Sequence, residues 1–294
     1  MDWIKEIISI IPPLSFDSHK GQAGRIGIVG GSENYTGAPY FAAISALKVG
    51  CDLSHVFCTP DASQVIKSYS PELIVHPIIG SPNIYEEMQK QLPYLHSLVI
   101  GPGLGREKTT FHSTSAVIES AVKHGLPLVF DADALFYLNE HHGEIAWFDR
   151  AILTPNKVEF SRLYSSVTGD EITADPSTVT VKYLAKKLGF VTIVAKGRQD
   201  IISDGNTVVV CDEPGSPKRC GGQGDLLSGA LGVFNFWARQ AKLNVSCQPT
   251  VLAAMAACML TRRCGYLAFQ KFKRSTLTTD MIGEINEAFS SLYT

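Results

Sequence analysis

The chain has 294 residues, 45% of them hydrophobic, and a formal net charge of −2. That length and apolar content support a large core without covalent staples, and the near-neutral charge gives no electrostatic reason to expect nucleic acid or an anionic membrane as partner. Seven dispersed cysteines (51, 58, 211, 220, 247, 258 and 264) show no CxxC spacing, which reads as a reduced, cytoplasmic protein without a zinc site.

The first residues, Met1-Asp2-Trp3-Ile4-Lys5-Glu6, carry acid early and lack an Arg-rich pattern, and Pro12-Pro13 cuts the apolar run behind them. Neither a secretory signal nor a transit peptide is expected. Short apolar runs at 26–29, 53–58, 73–76, 98–100, 128–130, 152–153 and 192–195 predict strands. Helical periodicity fills the gaps between them. Ala38, Phe41, Ala42, Ser45, Ala46 and Val49 fall on one helical face, closed by Gly50, and a further helix runs from Thr109 to Gly125. Asp175-Pro176 is expected to cap and open a helix that stops at Gly189,. Asp204-Gly205-Asn206, between 201–203 and 207–210, predicts a hairpin,. Beyond residue 225 the chain reads as all helical. Its longest apolar segment, 251–260, is too short to span a bilayer and ends in Arg262-Arg263, so a buried helix is expected,. The alternation gives an α/β fold in one domain, 1–294: a mainly parallel sheet, helices on both faces and an antiparallel edge.

Ligands in such sheets gather at the C-terminal ends of the strands. There the chain places Gly30-Gly31-Ser32 followed by Tyr35-Thr36-Gly37-Ala38-Pro39, then Gly101-Pro102-Gly103-Leu104-Gly105-Arg106 and Asp131-Ala132-Asp133-Ala134-Leu135. Thr154-Pro155-Asn156-Lys157-Val158-Glu159-Phe160 and Lys196-Gly197-Arg198-Gln199-Asp200 come next. Each has a plain structural reading: tight turns for the glycines, helix caps for Asp131, Asp133 and the Asn156–Glu159 pair, and a solvated charge for Lys196. The Gly101 run is no dinucleotide fingerprint, because its third glycine falls one position early, and the Walker pattern is absent. The histidines show no metal spacing. What argues for a site is the recurrence of such turns along one edge of the sheet.

The sharpest feature is Gly221-Gly222-Gln223-Gly224-Asp225, which runs directly into an apolar helical stretch, 226–237. Glycine N–H groups and a helix N-terminus attract an anion. An aspartate there repels a phosphate, yet it has a use if it takes the proton of a hydroxyl attacking that phosphate. Phosphoryl transfer is the chemistry these residues suggest.

Gly222-Gln223-Gly224-Asp225 matches the GxGD loop of ribokinase-like small-molecule kinases, and Asn156-Lys157-Val158-Glu159 matches their NxxE motif. With the motifs at 30–39, 101–105, 131–135 and 153–160 and with Lys196-Gly197, the chain from about residue 20 to residue 270 resembles the ATP-dependent NAD(P)H-hydrate dehydratases. The resemblance implies a ribokinase-like three-layer sandwich. It also implies repair of the hydrated dinucleotide (6S)-NAD(P)HX, by phosphorylation of its C6 hydroxyl from ATP with Mg2+ and loss of the phosphate. Asp225 would be the catalytic base, touching the substrate. Gly103, Gly105, Asn156, Lys157, Val158, Glu159, Phe160, Ser161 and Arg162 would surround the hydrated dinucleotide, with Arg106 and Arg162 as candidate phosphate contacts. Lys196, Gly197, Arg198, Gln199 and Asp200, with Gly215, Ser216, Pro217, Lys218, Arg219, Cys220, Gly221, Gly222, Gln223 and Gly224, would surround ATP. Glu159 would hold the metal through water. Association into a homo-oligomer and a functional pairing with an NAD(P)HX epimerase are further implications.

Two other readings compete. A kinase of a vitamin-like alcohol would use the same fold and the same Asp225; the motifs at 35–39 and 131–135 favour the dehydratase. A nucleotide-binding sensor without catalysis is the second, and the intact Asp225 and glycine loop argue against it.

Overall fold

The computed structural model describes residues 3–241 and 247–294. Its strands are β1 (Arg25–Val29), β2 (Leu53–Phe57), β3 (Leu73–His76), β4 (Ser97–Ile100), β5 (Leu128–Phe130), β6 (Ala151–Leu153), β7 (Thr192–Ala195), β8 (Asp200–Ser203) and β9 (Val208–Cys211). Among the described residues they form one sheet in the order β3-β2-β1-β4-β5-β6-β7-β8-β9. β1 to β7 run parallel, and β8 and β9 add the antiparallel edge.

The helices of the first half are α1 (Trp3–Ile10), α2 (Gly37–Val49), α3 (Pro60–Tyr69), α4 (Ile84–Gln91), α5 (Lys108–Lys123) and α6 (Asp133–His141). Then follow α7 (Lys157–Thr168), α8 (Thr178–Lys187), α9 (Gln223–Gln240), α10 (Pro249–Phe272), α11 (Thr278–Gly283) and α12 (Ile285–Tyr293). The central strands are apolar on both sides because helices cover both faces. Ile26, Ile28, Val99, Val129, Ile152 and Val194 enter one core with α1–α3 and α9–α12. Val29, Leu98, Ile100, Leu128, Phe130, Leu153 and Ile193 enter the other with α4–α8.

α9 is the buried axis of the first layer, with every residue from Leu226 to Ala238 inside. Small side chains let it sink: a Cβ on Gly229 would lie 2.1 Å from the Ala42 carbonyl oxygen of α2, and one on Gly232 would lie 2.9 Å from methyls of Ile26 and Val99. This packing aims the N-terminus of α9 at the C-terminal edge of the sheet. There the strand order reverses between β1 and β4, opening the crevice where such sheets bind ligands. Loops meet there backbone to backbone. A Cβ on Gly30 would stand 2.1 Å from the Pro102 carbonyl oxygen, and one on Gly101 only 1.7 Å from that of Asp131.

α10 is long and apolar enough by composition to cross a membrane, yet 72% of its most apolar stretch is buried, and it packs along α9 as a core helix. Two boundaries differ from expectation. α8 starts at Thr178, not at Pro176, because the Ser177 hydroxyl accepts the Thr180 N–H while the Thr180 hydroxyl accepts that of Ser177. Asp175 instead pairs with Lys157 at 2.7 Å. The hairpin's return strand begins one residue late, because the Asp204 carboxylate captures the N–H groups of Asn206 and Thr207,.

Candidate active site

Gly222 caps α9 with φ 97°. A side chain there would also collide, since its Cβ would meet Phe41 at 2.7 Å and Thr278 at 2.9 Å. Thr278 Oγ1 donates to the Gly221 carbonyl at 2.7 Å, and Gln223 Nε2 to that of Lys218 at 3.0 Å, so the glycine bend is tied at both ends. The Leu226 N–H makes the helix's first bond, to the Gly222 carbonyl at 3.0 Å. The N–H groups of Gln223, Gly224 and Asp225 lie ahead of it, where a helix leaves donors for an anion.

Against this turn lies an ion pair. Asp131, 2% exposed, accepts on Oδ1 from Thr154 Oγ1 at 2.7 Å and from Lys196 Nζ at 2.8 Å. Lys196 Nζ also stands 4.0 Å from Glu159 Oε2. A Cβ on Gly224 would be 3.4 Å from both Asp131 Oδ2 and Lys196 Nζ. Burial pushes the Asp225 carboxyl up to about 8, the Asp131 charge adds to the rise, and Lys196 offsets part of it. Burial also raises Glu159, against the pull of Lys196 and the Asn156 N–H. For Lys196 burial works against the charge, but the carboxylates of Asp131, Glu159 and Asp225 hold its pKa above the ordinary lysine value. The plain reading of Lys196 as a solvated charge therefore fails: its side chain is 21% exposed and paired.

Asp131 and Asp133 do not cap α6 either. The cap position is Ala132, at φ 49°, with no side-chain cap bond. This left-handed alanine, a sterically costly conformation, separates the two aspartates. Asp131 takes Lys196, whereas Asp133 accepts from the Gly105 N–H at 3.0 Å and from Arg106 Nε at 2.8 Å. Arg106 lies over the Phe136 ring at 4.2 Å. Asn156 and Glu159 do form a capping box, with Asn156 Oδ1 accepting from the Val158 and Glu159 N–H groups and Glu159 Oε2 accepting from that of Asn156.

Two cavities share the first turn of α9 as a wall. One, of about 700 Å³, is lined by Asn156, Lys196, Gly197, Arg198, Asp200, Gly215, Ser216, Pro217, Arg219, Cys220, Gln223 and Gly224. Its far side is Leu227, Thr261, Arg262, Gly265 and Met281. The other, of about 750 Å³, lies among the loops after β1, β4 and β5 and is lined by Ser32, Glu33, Asn34, Tyr35, Gly103, Gly105, Arg106, Ala132, Asp133 and Asp225, among others. A notch of about 110 Å³ beside them holds Arg106, Phe136, Asn156, Val158, Glu159 and Arg162.

Several expected contacts lie elsewhere. Phe160 is 1% exposed in the second core, so it is withdrawn from the set around the dinucleotide. Lys157 turns to Asp175, and Ser161 Oγ donates to the Ile172 carbonyl at 2.6 Å. These residues sit at a helix start, so only the side carrying Asn156, Val158, Glu159 and Arg162 lines the notch,. Gln199, Lys218, Gly221 and Gly222 do not line the first cavity; the two glycines build its hinge and the Lys218 carbonyl holds Gln223. The Asp200 carboxylate lines it but is taken by Arg262 Nε at 2.6 Å and the Gly197 N–H at 3.1 Å.

Arg262 was missed by the motifs. Its remaining donors reach the carbonyls of Gly197 at 3.0 Å, Arg198 at 2.9 Å and Glu213 at 3.5 Å, so it fastens both loops flanking the first cavity. The available signal was two arginines directly after the apolar stretch 251–260, inside α10. Leu227, Thr261, Gly265 and Met281 carry no such signal. Among the described residues no group of three His, Cys, Asp or Glu side chains is arranged to cage a metal ion.

Residues 26–287 match the family model described as NAD(P)H-hydrate dehydratase. The chain is 54% identical over 288 residues to the ATP-dependent (S)-NAD(P)H-hydrate dehydratase of Homo sapiens, spanning 97% of this chain and 83% of that protein. Its identity to the Rattus norvegicus protein of the same name is 52% over 298 residues, spanning 100% and 87%. In fold it is similar to a Bacillus subtilis ADP/ATP-dependent NAD(P)H-hydrate dehydratase co-crystallized with ATP/Mg2+ (TM-score 0.73, 20% identity, 98% of this chain and 97% of that chain). A ribokinase-like superfamily protein from Enterococcus faecalis also superposes (TM-score 0.79, 21% identity, 99% and 95%). The fold is ribokinase-like.

Proposed function

Because the chain belongs to the NAD(P)H-hydrate dehydratase family, we propose that it is an ATP-dependent lyase that returns (6S)-NAD(P)HX to NAD(P)H. The observation that carries this reading is Asp225: one raised carboxyl on the wall between two cavities of similar size, beside free helix N–H groups. ATP takes the cavity of about 700 Å³. Its adenine lies toward Leu227, Gly265 and Met281, and its phosphates toward Lys196, Arg198 and the Gly224 N–H. The hydrated nicotinamide takes the cavity of about 750 Å³, with Tyr35, Gly103 and Gly105 around the ring.

Asp225 accepts the C6 hydroxyl proton as that oxygen bonds to the γ-phosphorus and the bond to the β-phosphate oxygen breaks. Base assistance of this kind is worth about 10²–10⁴-fold, most when the base titrates near the working pH. The N–H groups of Gln223 and Gly224 and the Lys196 ammonium face the phosphoryl charge, where preorganised donors act strongly. The ring nitrogen's lone pair then expels the phosphate from C6, and the C5 proton leaves to restore the dihydropyridine. The substrate's donor nitrogen turns kinase machinery to a lyase outcome.

For Mg2+ the donor set fits a water-mediated site. Glu159 commits Oε2 to the Asn156 N–H, leaving Oε1 to hold a water of a cation that dehydrates reluctantly. When bound, the ion would neutralise charge on the triphosphate. The seven free thiols support a cytoplasmic, reducing setting, and the S-specific names of the relatives support functional pairing with an epimerase. The test is to mix the protein, ATP, Mg2+ and hydrated NADH. Return of the reduced-nicotinamide absorbance with one phosphate released per turnover is expected; its absence with wild-type protein that binds ATP defeats the reading.

A further inference from the structure

We propose that Asp131 is a positioning residue for this reaction: it holds the Lys196 ammonium beside Gly224 in the first turn of α9. The inference deepens the reading above and rests on it for its kinetic arm.

A buried carboxylate beside a carboxyl that must ionise is at first sight a defect, since like charges oppose each other's ionisation. The geometry gives it a purpose. Three successive strand ends build the arrangement: Asp131 follows β5, Thr154 follows β6 and Lys196 follows β7. Thr154 and Lys196 bond the same oxygen of Asp131, fixing the carboxylate, and Oδ2 is left facing Gly224. Asp131 at 2.8 Å is the nearest anion to the Lys196 ammonium, with Glu159 at 4.0 Å on its other flank. The lysine is therefore a fixed cation whose position is set by rigid sheet rather than by the ligand.

The charged groups acting on Asp225 are Asp131 and Lys196, with Glu159 facing Lys196 from α7. α2 and α11 meet the glycine bend through the uncharged Phe41 and Thr278. The two partners of the ion pair thus push Asp225 in opposite directions.

The experiment compares wild type, Asp131→Asn, Lys196→Met and Thr154→Val by steady-state kinetics on hydrated NADH across pH, and by NMR titration of the Asp225 carboxyl carbon without substrate. In Asp131→Asn, kcat is expected to fall about 10–100-fold with KM for ATP within about threefold, because the misplaced cation is missed mainly in the transition state. The Asp225 titration and the acid limb of kcat/KM should move to lower pH in Asp131→Asn and to higher pH in Lys196→Met. Shifts in the same direction, no shift, or a wild-type kcat in Asp131→Asn overturn the proposal. Should Asp131→Asn not fold, the near-isosteric Thr154→Val carries the test: a severalfold loss of kcat and a smaller downward shift are expected, and no change in either overturns it. If wild type turns over no hydrate, the dehydratase reading fails separately, and the carboxyl titrations still decide the inference about Asp131 and Lys196.

Discussion

Replacing Asp225 by Asn should cut turnover sharply and stabilise the fold. The Asp225 carboxyl rises from an ordinary 3.8 to about 8, chiefly through burial and then through Asp131, with Lys196 offsetting part. Between those two values the folded protein holds a proton that the unfolded chain has released. The wild type therefore loses stability as pH rises through this window, and the loss is complete above about pH 8. At about 1.4 kcal/mol per pKa unit, the ceiling at pH 8 is about 5 kcal/mol. Relaxation and water entry around a buried charge reduce such penalties, so about 2–3 kcal/mol is expected to be measured. For a chain of this size 1 kcal/mol moves Tm by roughly 2 °C. The Asn variant should therefore melt about 4–6 °C above wild type at pH 8, with the gap shrinking to roughly a third at pH 5. Thermal scans at the two pH values read this directly. Calorimetric titration with ATP should show affinity within about threefold of wild type while turnover falls by about 10²–10⁴-fold. An Asn variant that melts lower than wild type at pH 8, or a gap that ignores pH, would refute the reasoning.

Three further outcomes are expected. The kcat/KM profile for the hydrate should rise with pH through an ionisation near 8, since this parameter reports the free enzyme's essential base; a limb near 4 in the pH–rate profile would remove Asp225 from that role. Arg262→Met unpairs Asp200, which is 7% exposed, and releases the carbonyls of Gly197 and Arg198. It should raise KM for ATP about tenfold or more and lower stability by about 3 kcal/mol, with Arg262→Lys intermediate because a lysine cannot bridge several acceptors; an unchanged KM for ATP would contradict the clamp. Gly229→Ala should destabilise by about 2–3 kcal/mol, because its Cβ would sit 2.1 Å from the Ala42 carbonyl oxygen,. Helix propensity alone predicts the opposite, a gain of up to about 1 kcal/mol, so the sign of the Tm change decides.

How far the sequence could be read depended on whether a residue's task was local. The strands, the helix closed by Gly50 and the hairpin at Asp204 follow from periodicity and turn chemistry that act within a few residues. So does the Gly222–Asp225 turn, since a left-handed cap and a helix start are written in adjacent positions. Asp131 and Lys196 were legible only as strand-end residues. Their pairing crosses the end of β6 and depends on strand order, which no local pattern encodes. Phe160 misled for the complementary reason. A motif read as a run of contacts ignores the helical period, which turns Phe160 into the core while Glu159 beside it faces the site. Arg262, Leu227 and Met281 reach the first cavity from helices packed by long-range contacts, and only the arginine left a trace, a charge out of place on an apolar helix.

The two cavities also differ in charge in a way that bears on why the base sits where it does. The first carries Lys196, Arg198, Arg219 and Arg262 against one carboxylate, Asp200. The second carries Glu33, Asp61, Glu107, Asp133 and Asp225 against one cation, Arg106. A triphosphate is drawn to the first and repelled by the second, which supports the first as the ATP cavity of the proposed reading. The reacting end of the acceptor is an uncharged hydroxylated ring, so an acidic cavity does not oppose it. Burial first and then the charge of Asp131 push the Asp225 carboxyl up to about 8, while Lys196, on the cationic side of the same wall, offsets part of that rise. On the proposed reading, the boundary between opposite fields sets Asp225 toward the alcohol and leaves the positive end of α9 to the phosphate.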